Sequence, residues 1–212
     1  MNANDYKKWL NLVKKGRADL EEVPDEFKDR ELCLAAVKNN GNDLEYVPVE
    51  LRDREICMAS LQPGALSDFS FKNIPEEYKD REMCLTAVKL MAGAIFDVPD
   101  ALRDREMCLI AVKLWGGSLE GVPERLKDRE MCLTAAQNDR GGKALKFVPQ
   151  DLRDREMCLK AVKANGENLE YVPEELRDYE ICLSAVKDIR SALEYVPEDI
   201  RRSDKFSAEM PN

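Results

Sequence analysis

VPQDLRDREMCLKAVKANG, residues 148–166, decides the fold, because the chain carries seven near-copies of it. A Val-Pro or Ile-Pro pair falls at Pro24, Pro48, Pro75, Pro99, Pro123, Pro149 and Pro173, with an eighth at Pro197. Nine residues after each of the first seven stands a cysteine: Cys33, Cys57, Cys84, Cys108, Cys132, Cys158 and Cys182. The steps from proline to proline are 24, 27, 24, 24, 26, 24 and 24 residues. Self-similarity at a period of roughly 20–50 residues marks a tandem array in which each unit touches only its neighbours.

Each unit announces a helix. The aspartate five residues after the proline (Asp29, Asp53, Asp80, Asp104, Asp128, Asp154, Asp178) is placed to cap free amides, and the glutamate two residues later suits the positive end of the helix dipole. The run MCLxAVK follows, and a glycine such as Gly41, Gly116 or Gly166 is expected to end a helix of about eleven residues. This helix is apolar nearly all round, the pattern of a helix covered on several sides. The rest of the unit, as in NLEYVPEELR (168–177), reads as a second, shorter helical piece with proline in its first turn. There Leu169, Val172 and Leu176 share a face by their spacing, as do Leu145, Val148 and Leu152, or Phe71, Ile74 and Tyr78.

The expected fold is therefore an all-α solenoid of tandem units of about 24 residues, one domain over 1–212. Residues 1–23 form its N-terminal cap, 24–197 its seven repeats and 198–212 a C-terminal cap or tail. In the first cap Asp5 matches Asp29, and Trp9 takes the cysteine place. Two insertions break the period, SLQPGALSDFSFKNI (60–74) and QNDRGGKALKF (137–147). Pro63 and Gly64 stop one helix early, and a Gly-Gly loosens the other loop.

The pattern LxxVPxxLRDREMCLxAVKxNGxxL resembles a family of short tandem helical repeats known only as a domain of unknown function. The resemblance covers about residues 19–200 and implies an all-helical repeat fold. It brings no activity, ligand or catalytic residue with it.

Composition narrows the function. The 212 residues carry a formal net charge of -9 and no histidine. Bulk attraction to nucleic acid or anionic membrane is disfavoured, and a basic partner is electrostatically favoured. No apolar run reaches membrane-spanning length, and the N-terminus has no signal-peptide core, so a cytoplasmic location is expected. Seven cysteines at one repeat position, without CxxC pairs, fit buried thiols in a reducing compartment better than disulfides or a zinc site.

An enzyme needs a non-repeated constellation, and the Asp-Arg-Glu triplets and cysteines are explained by repetition, so no catalysis, cofactor or metal is expected. The arginines of the triplets (Arg30, Arg54, Arg81, Arg105, Arg129, Arg155) could meet phosphates once per unit. Each is flanked by Asp and Glu, so charge pairing within and between repeats is the simpler account, and the ladder stops where Tyr179 replaces arginine. The acidic residues after the prolines (Glu76-Glu77, Glu174-Glu175, Glu198-Asp199) suit a helix dipole and leave room for a basic protein partner.

Information should lie where the repeats differ. The positions two and six residues after each cysteine vary, and in the third and fourth units this face turns apolar: Leu90, Met91, Ile110, Leu114 and Trp115. Such a patch marks a contact with another protein or a self-association surface. The alternative is that these side chains pack under the neighbouring insertion, against Phe69 or Phe96. The function expected is a non-enzymatic scaffold or adaptor for another protein. A self-assembling structural repeat is the runner-up, and nucleic-acid binding is the weakest reading.

Overall fold

The computed structural model describes residues 2–62, 71–141 and 143–210, and among them there is no β-strand. They fall into two compact units, Met1–Leu102 and Arg103–Asn212. The first contains α1 (Ala3–Lys14), α2 (Arg30–Asn39), α3 (Arg54–Ser60) and α4 (Arg81–Leu90), with α1 packed on α2 and α2 on α3. The second contains α5 (Arg105–Leu114), α6 (Arg129–Gln137), α7 (Arg155–Ala164) and α8 (Tyr179–Asp188), each packed on the next. Two short helices, α9 (Glu198–Arg201) and α10 (Asp204–Glu209), follow. The helices that pack on one another do so in chain order, as the repeat implies.

The helix starts are those expected. All seven aspartates are N-caps that accept the amide three residues on, for example Asp29 from Leu32 at 2.9 Å and Asp154 from Met157 at 2.8 Å. Helix α1 departs from the repeat: its cap is Asn2, so Asp5 lies in the first turn, and Trp9 is half-buried rather than buried like the cysteines. The early stop of α3 at Ser60 fits the insertion there, but Pro63, Gly64 and Phe69 lie outside the described residues.

The second half of the unit is not one short helix. It is two 3₁₀ pieces on either side of the proline, such as Gly166–Tyr171 and Glu174–Leu176. Proline lacks an amide and drives the preceding residue to extended backbone, so Val172 sits at φ -72, ψ 129 and ends the first piece. Pro173 itself, at φ -53 and ψ 139, caps the second piece instead of entering its first turn. Leu169 and Val172 are buried and Leu176 only half-buried, because they do not share one helix. The same split separates Tyr78 from Phe71 and Ile74, and Leu152 from Leu145 and Val148.

Each unit buries one short set of side chains. Met157, Cys158, Ala161, Val162, Leu169 and Val172 are all at most 2% exposed. In the α-helix these fall at the third, fourth, seventh and eighth positions, one half of the helix surface. The expectation of a helix covered on several sides thus holds for one half of its surface only. The leucine after the cysteine (Leu34, Leu85, Leu109, Leu133, Leu159) is half-exposed beside the charged positions. Burial pushes the cysteine thiols up, to about 11 for Cys33, Cys84 and Cys158 among others, which keeps them protonated and unreactive.

The glycines after the helices have a different duty from the one expected. The C-caps are Asn40, Trp115 and Asn165, in extended conformation, and Gly41, Gly116 and Gly166 open the 3₁₀ helix that follows. Close approach of the next repeat explains the residue type. A Cβ on Gly116 would lie 2.2 Å from the Ala135 carbonyl oxygen of α6, and one on Gly166 would lie 2.6 Å from that of Ala185 on α8.

A second arginine, four residues after the proline, ties the 3₁₀ segments together. Arg153 donates through Nε to the Val148 carbonyl at 3.0 Å and through Nη2 to that of Lys146 at 3.3 Å. Its Nη1 reaches the Tyr171 carbonyl, at the far end of its own repeat, at 3.0 Å. Arg177 makes the same three bonds to Val172, Glu170 and Tyr195, and Arg52 to Val47, Glu45 and Asn73. These carbonyls lie near the ends of 3₁₀ pieces, where the backbone leaves acceptors unpaired and negative. Where lysine stands instead it cannot fork, and it pairs with the acid three residues before: Lys28 with Asp25, Lys79 with Glu76, Lys127 with Glu124.

Two buried acids punctuate the core. Asp139, fully buried, accepts from the Ala144 amide at 2.6 Å and from Asn168 Nδ2 at 2.7 Å. Within the insertion expected to form a looser loop, Ala144 is thereby held to Asp139. Asn168 in turn accepts the Leu145 amide of the preceding repeat at 3.1 Å, and Asp43 holds the equivalent Leu20 amide at 3.2 Å.

Asp43 differs from Asn168 in carrying a charge. Burial pushes its carboxyl up to about 6, against the pull of the Leu20 amide. A raised carboxyl favours the folded state when protonated. That contribution is complete below the ordinary carboxylate range and is lost as pH rises through about 6. Asp43→Asn is thus expected to raise stability by about 1–2 kcal/mol at pH 8, with the gain shrinking towards pH 4. Urea melts at the two pH values measure this, and a gain independent of pH overturns it. Arg153→Met is expected to cost about 2 kcal/mol, since it strands three carbonyls. Arg155→Ala, which removes only exposed ion pairs, is expected to cost clearly less; the reverse order in denaturant melts refutes the staple.

Candidate functional site

The groups that look reactive in the sequence are occupied by the scaffold. The seven thiols are buried and unbridged, and among the described residues no group of Cys, Asp and Glu could hold a metal ion. The Asp-Arg-Glu triplet divides its labour across repeats. Arg54 reaches Asp80 at 2.8 Å and Glu82 at 2.7 Å in the next repeat, and Arg30 likewise reaches Asp53 and Glu55. In the second unit Arg105 pairs with Asp128 and Glu130, Arg129 with Asp154 and Glu156, and Arg155 with Asp178 and Glu180. The caps Asp80, Asp128 and Asp154 are held below the usual carboxylate range, first by the helix amide each accepts and then by the arginine. At the end of this ladder Tyr179 faces Phe206 of α10 edge-on at 5.8 Å, with Lys205 Nζ 4.3 Å from its ring centroid.

The five apolar residues singled out in the sequence divide between the compact units. In the first, Leu90 ends α4 and Met91 is its C-cap, both half-buried. In the second, Ile110 and Leu114 lie one turn apart on α5, Ile110 half-buried and Leu114 55% exposed. Trp115 caps the same helix, and its indole lies over Gly117, where an added Cβ would stand 2.4 Å from the ring. The structure therefore brings Ile110 and Leu114 together on one open face, with the half-exposed Leu109 beside them, and folds Trp115 over the following 3₁₀ helix. Phe96, offered as a covering residue in the first unit, is itself 39% exposed, and Phe69 is outside the described residues.

A second surface lies along the prolines of the second unit. One groove of about 480 Å³ is lined by Gln150, Arg153, Glu170, Tyr171, Pro173 and Glu175 among others. A second, of about 520 Å³, is lined by the residues 24 positions later, Glu174, Arg177, Glu194, Tyr195, Pro197 and Asp199. Both include Glu174 and Arg177, so the grooves are one trough repeated at the period of the chain. Beside it Lys143, the one described non-glycine residue at positive φ (50°), extends its ammonium to Glu170 at 3.4 Å and Glu167 at 3.6 Å, 5.9 Å from the Tyr171 ring centroid.

Sequence reasoning noticed the acidic residues after the prolines but missed this trough and the arginine behind it. A signal was present: lysine replaces that arginine at Lys28, Lys79 and Lys127, each time with an acid three residues earlier. No helix among the described residues is long and apolar enough to cross a membrane.

Comparison with curated proteins and with solved structures finds no significant match. A family profile described as a domain of unknown function (DUF4116) matches residues 8–52, 29–67, 104–153 and 154–201, and its two later matches each take in two of the repeats. The regular helix-plus-3₁₀ units and these matches, over most of the length, place the chain in the DUF4116 family.

Proposed function

We propose that this chain is a non-enzymatic scaffold that binds another protein, acting in the cytoplasm. The observation that carries the reading is the open apolar face of α5, where Leu114 is 55% exposed one turn from Ile110. Large side chains are seldom left so open without a partner when they adjoin other apolar residues. Neighbouring helices add Leu133 and Leu159, the half-exposed equivalents of Leu109, while Thr134 and Lys160 stand where α5 has Ile110. The cytoplasmic location is supported by seven unbridged thiols, a usage suited to a reducing compartment.

The reactive residue types support a binding role because they are engaged in the scaffold. Aspartates cap helices, arginines bridge repeats and thiols fill the core. A second copy of the chain could occupy the same apolar face, and the test separates the two occupants.

Leu114→Glu adds a charge at an exposed position and leaves the core untouched. The full chain and this variant are compared by affinity capture followed by identification of bound proteins, and by light scattering over a concentration series. The expected outcome is a monomer that captures a defined protein and loses it in the variant. A mass that grows with concentration and falls to monomer in Leu114→Glu assigns the face to self-association instead. Equal capture by a folded variant removes the face from the binding surface.

A further inference from the structure

We propose that the trough along Pro173 and Pro197 binds an extended, lysine-rich segment of another protein. Three observations combine. Its form is the first: two grooves of the same composition, displaced by one repeat and joined at Glu174 and Arg177, make a continuous channel. An extended chain of polyproline-II form has three residues per turn and advances about 3.1 Å per residue, and packed helices repeat about every 8–10 Å, so every third residue of such a segment faces an equivalent place.

Charge is the second. Glu170, Glu174, Glu175, Glu194 and Asp199 line the channel, against Arg153 and Arg177. Both guanidinium groups are turned onto backbone carbonyls, each making three hydrogen bonds there. The cations are therefore committed to the scaffold, and the channel presents its carboxylates to a ligand.

The third is an occupant supplied by the chain itself. The Lys143 ammonium lies between Glu167 and Glu170 and over the Tyr171 ring, a setting that pairs charge with a cation–π contact. It does so from a left-handed backbone, a conformation a lysine rarely adopts. One repeat later the same Glu-Tyr pair recurs as Glu194-Tyr195, while the residue matching Lys143 is Glu167. Lys143 thus pairs with the first Glu-Tyr pair and borders the second, with which it lines one small pocket, while the place that matches it one repeat on holds an acid. An ammonium from the partner takes the Glu194-Tyr195 position, and its neighbours three residues away meet Glu174 and Asp199.

This surface shares no residue with the apolar face around Leu114, so the two readings fail separately. The test uses the full chain and a fluorescent peptide of four Lys-Ser-Gly repeats, followed by anisotropy at low and physiological salt. Expected are saturable binding, no binding of the same peptide with acetylated lysines, and an affinity lower by about fivefold to tenfold in Glu194→Gln/Asp199→Asn. Leu114→Glu should bind the peptide as the unmodified chain does. Glu26→Gln/Glu50→Gln, which removes the same charge from exposed positions in the first unit, serves as control. An equal loss in that control shows bulk attraction to an acidic protein and overturns the site. Failure to bind at low salt, or binding indifferent to acetylation, overturns it as well.

Discussion

More of each repeat lies in 3₁₀ pieces and extended links than in the α-helix, and such short pieces cannot satisfy their own backbone. A three-residue 3₁₀ helix leaves most of its amides and carbonyls without an internal partner. The forked arginine after the proline answers this constraint. Arg52, Arg153 and Arg177 each gather two carbonyls from the preceding repeat and one from the far end of their own. That one side chain lets an otherwise underbonded segment become the seam between neighbours. The buried leucine and valine of the segment then have a fixed backbone to stand on, and the trough takes its shape from the same seam.

The helices were legible because their determinants are local. An aspartate before the run and a glutamate in the first turn act within a few residues, and seven repetitions of the same signal removed ambiguity. The outcome at proline was less legible, since Leu169, Val172 and Leu176 have helical spacing although Pro173 interrupts the helix between them. The glycines were misread because a stop and a close approach select the same residue. Only the position of the Ala135 and Ala185 carbonyls distinguishes the two. The leucine after five of the cysteines looked like core, as Leu183 is, because apolarity tells nothing about which neighbour arrives. In a repeat that touches one helix on each side, half of the helix surface stays open.

The candidate surfaces were only partly legible for the same reason. Leu114 was identified by departure from the repeat, and it is open; Trp115 departs equally and lies over Gly117. Variation thus marks positions free of the packing pattern, but exposure is decided by local backbone. The trough was hidden for the opposite cause. Its residues, Glu174, Arg177, Pro197 and their equivalents, belong to the repeat itself; the acids and prolines were accounted for one at a time as dipole partners and first-turn residues, and the arginine was passed over. Their joint effect, a lined channel, needs two successive repeats in register.

The seat that Gly116 and Gly166 provide for the next helix bears on how such a chain can lengthen. In the last repeat the matching residue is Arg190, which is exposed. A copy of the repeat that holds Gly116 or Gly166 carries its glycine with it, whereas the third repeat has Ala92 at that place. A copy of the last repeat placed among them would set a long charged side chain where a single methyl group already collides with the facing carbonyl. Duplication in this chain therefore depends on its raw material: the repeats that carry Gly116 and Gly166 fit such a seat as they stand, and the one with Arg190 only after its arginine has been replaced.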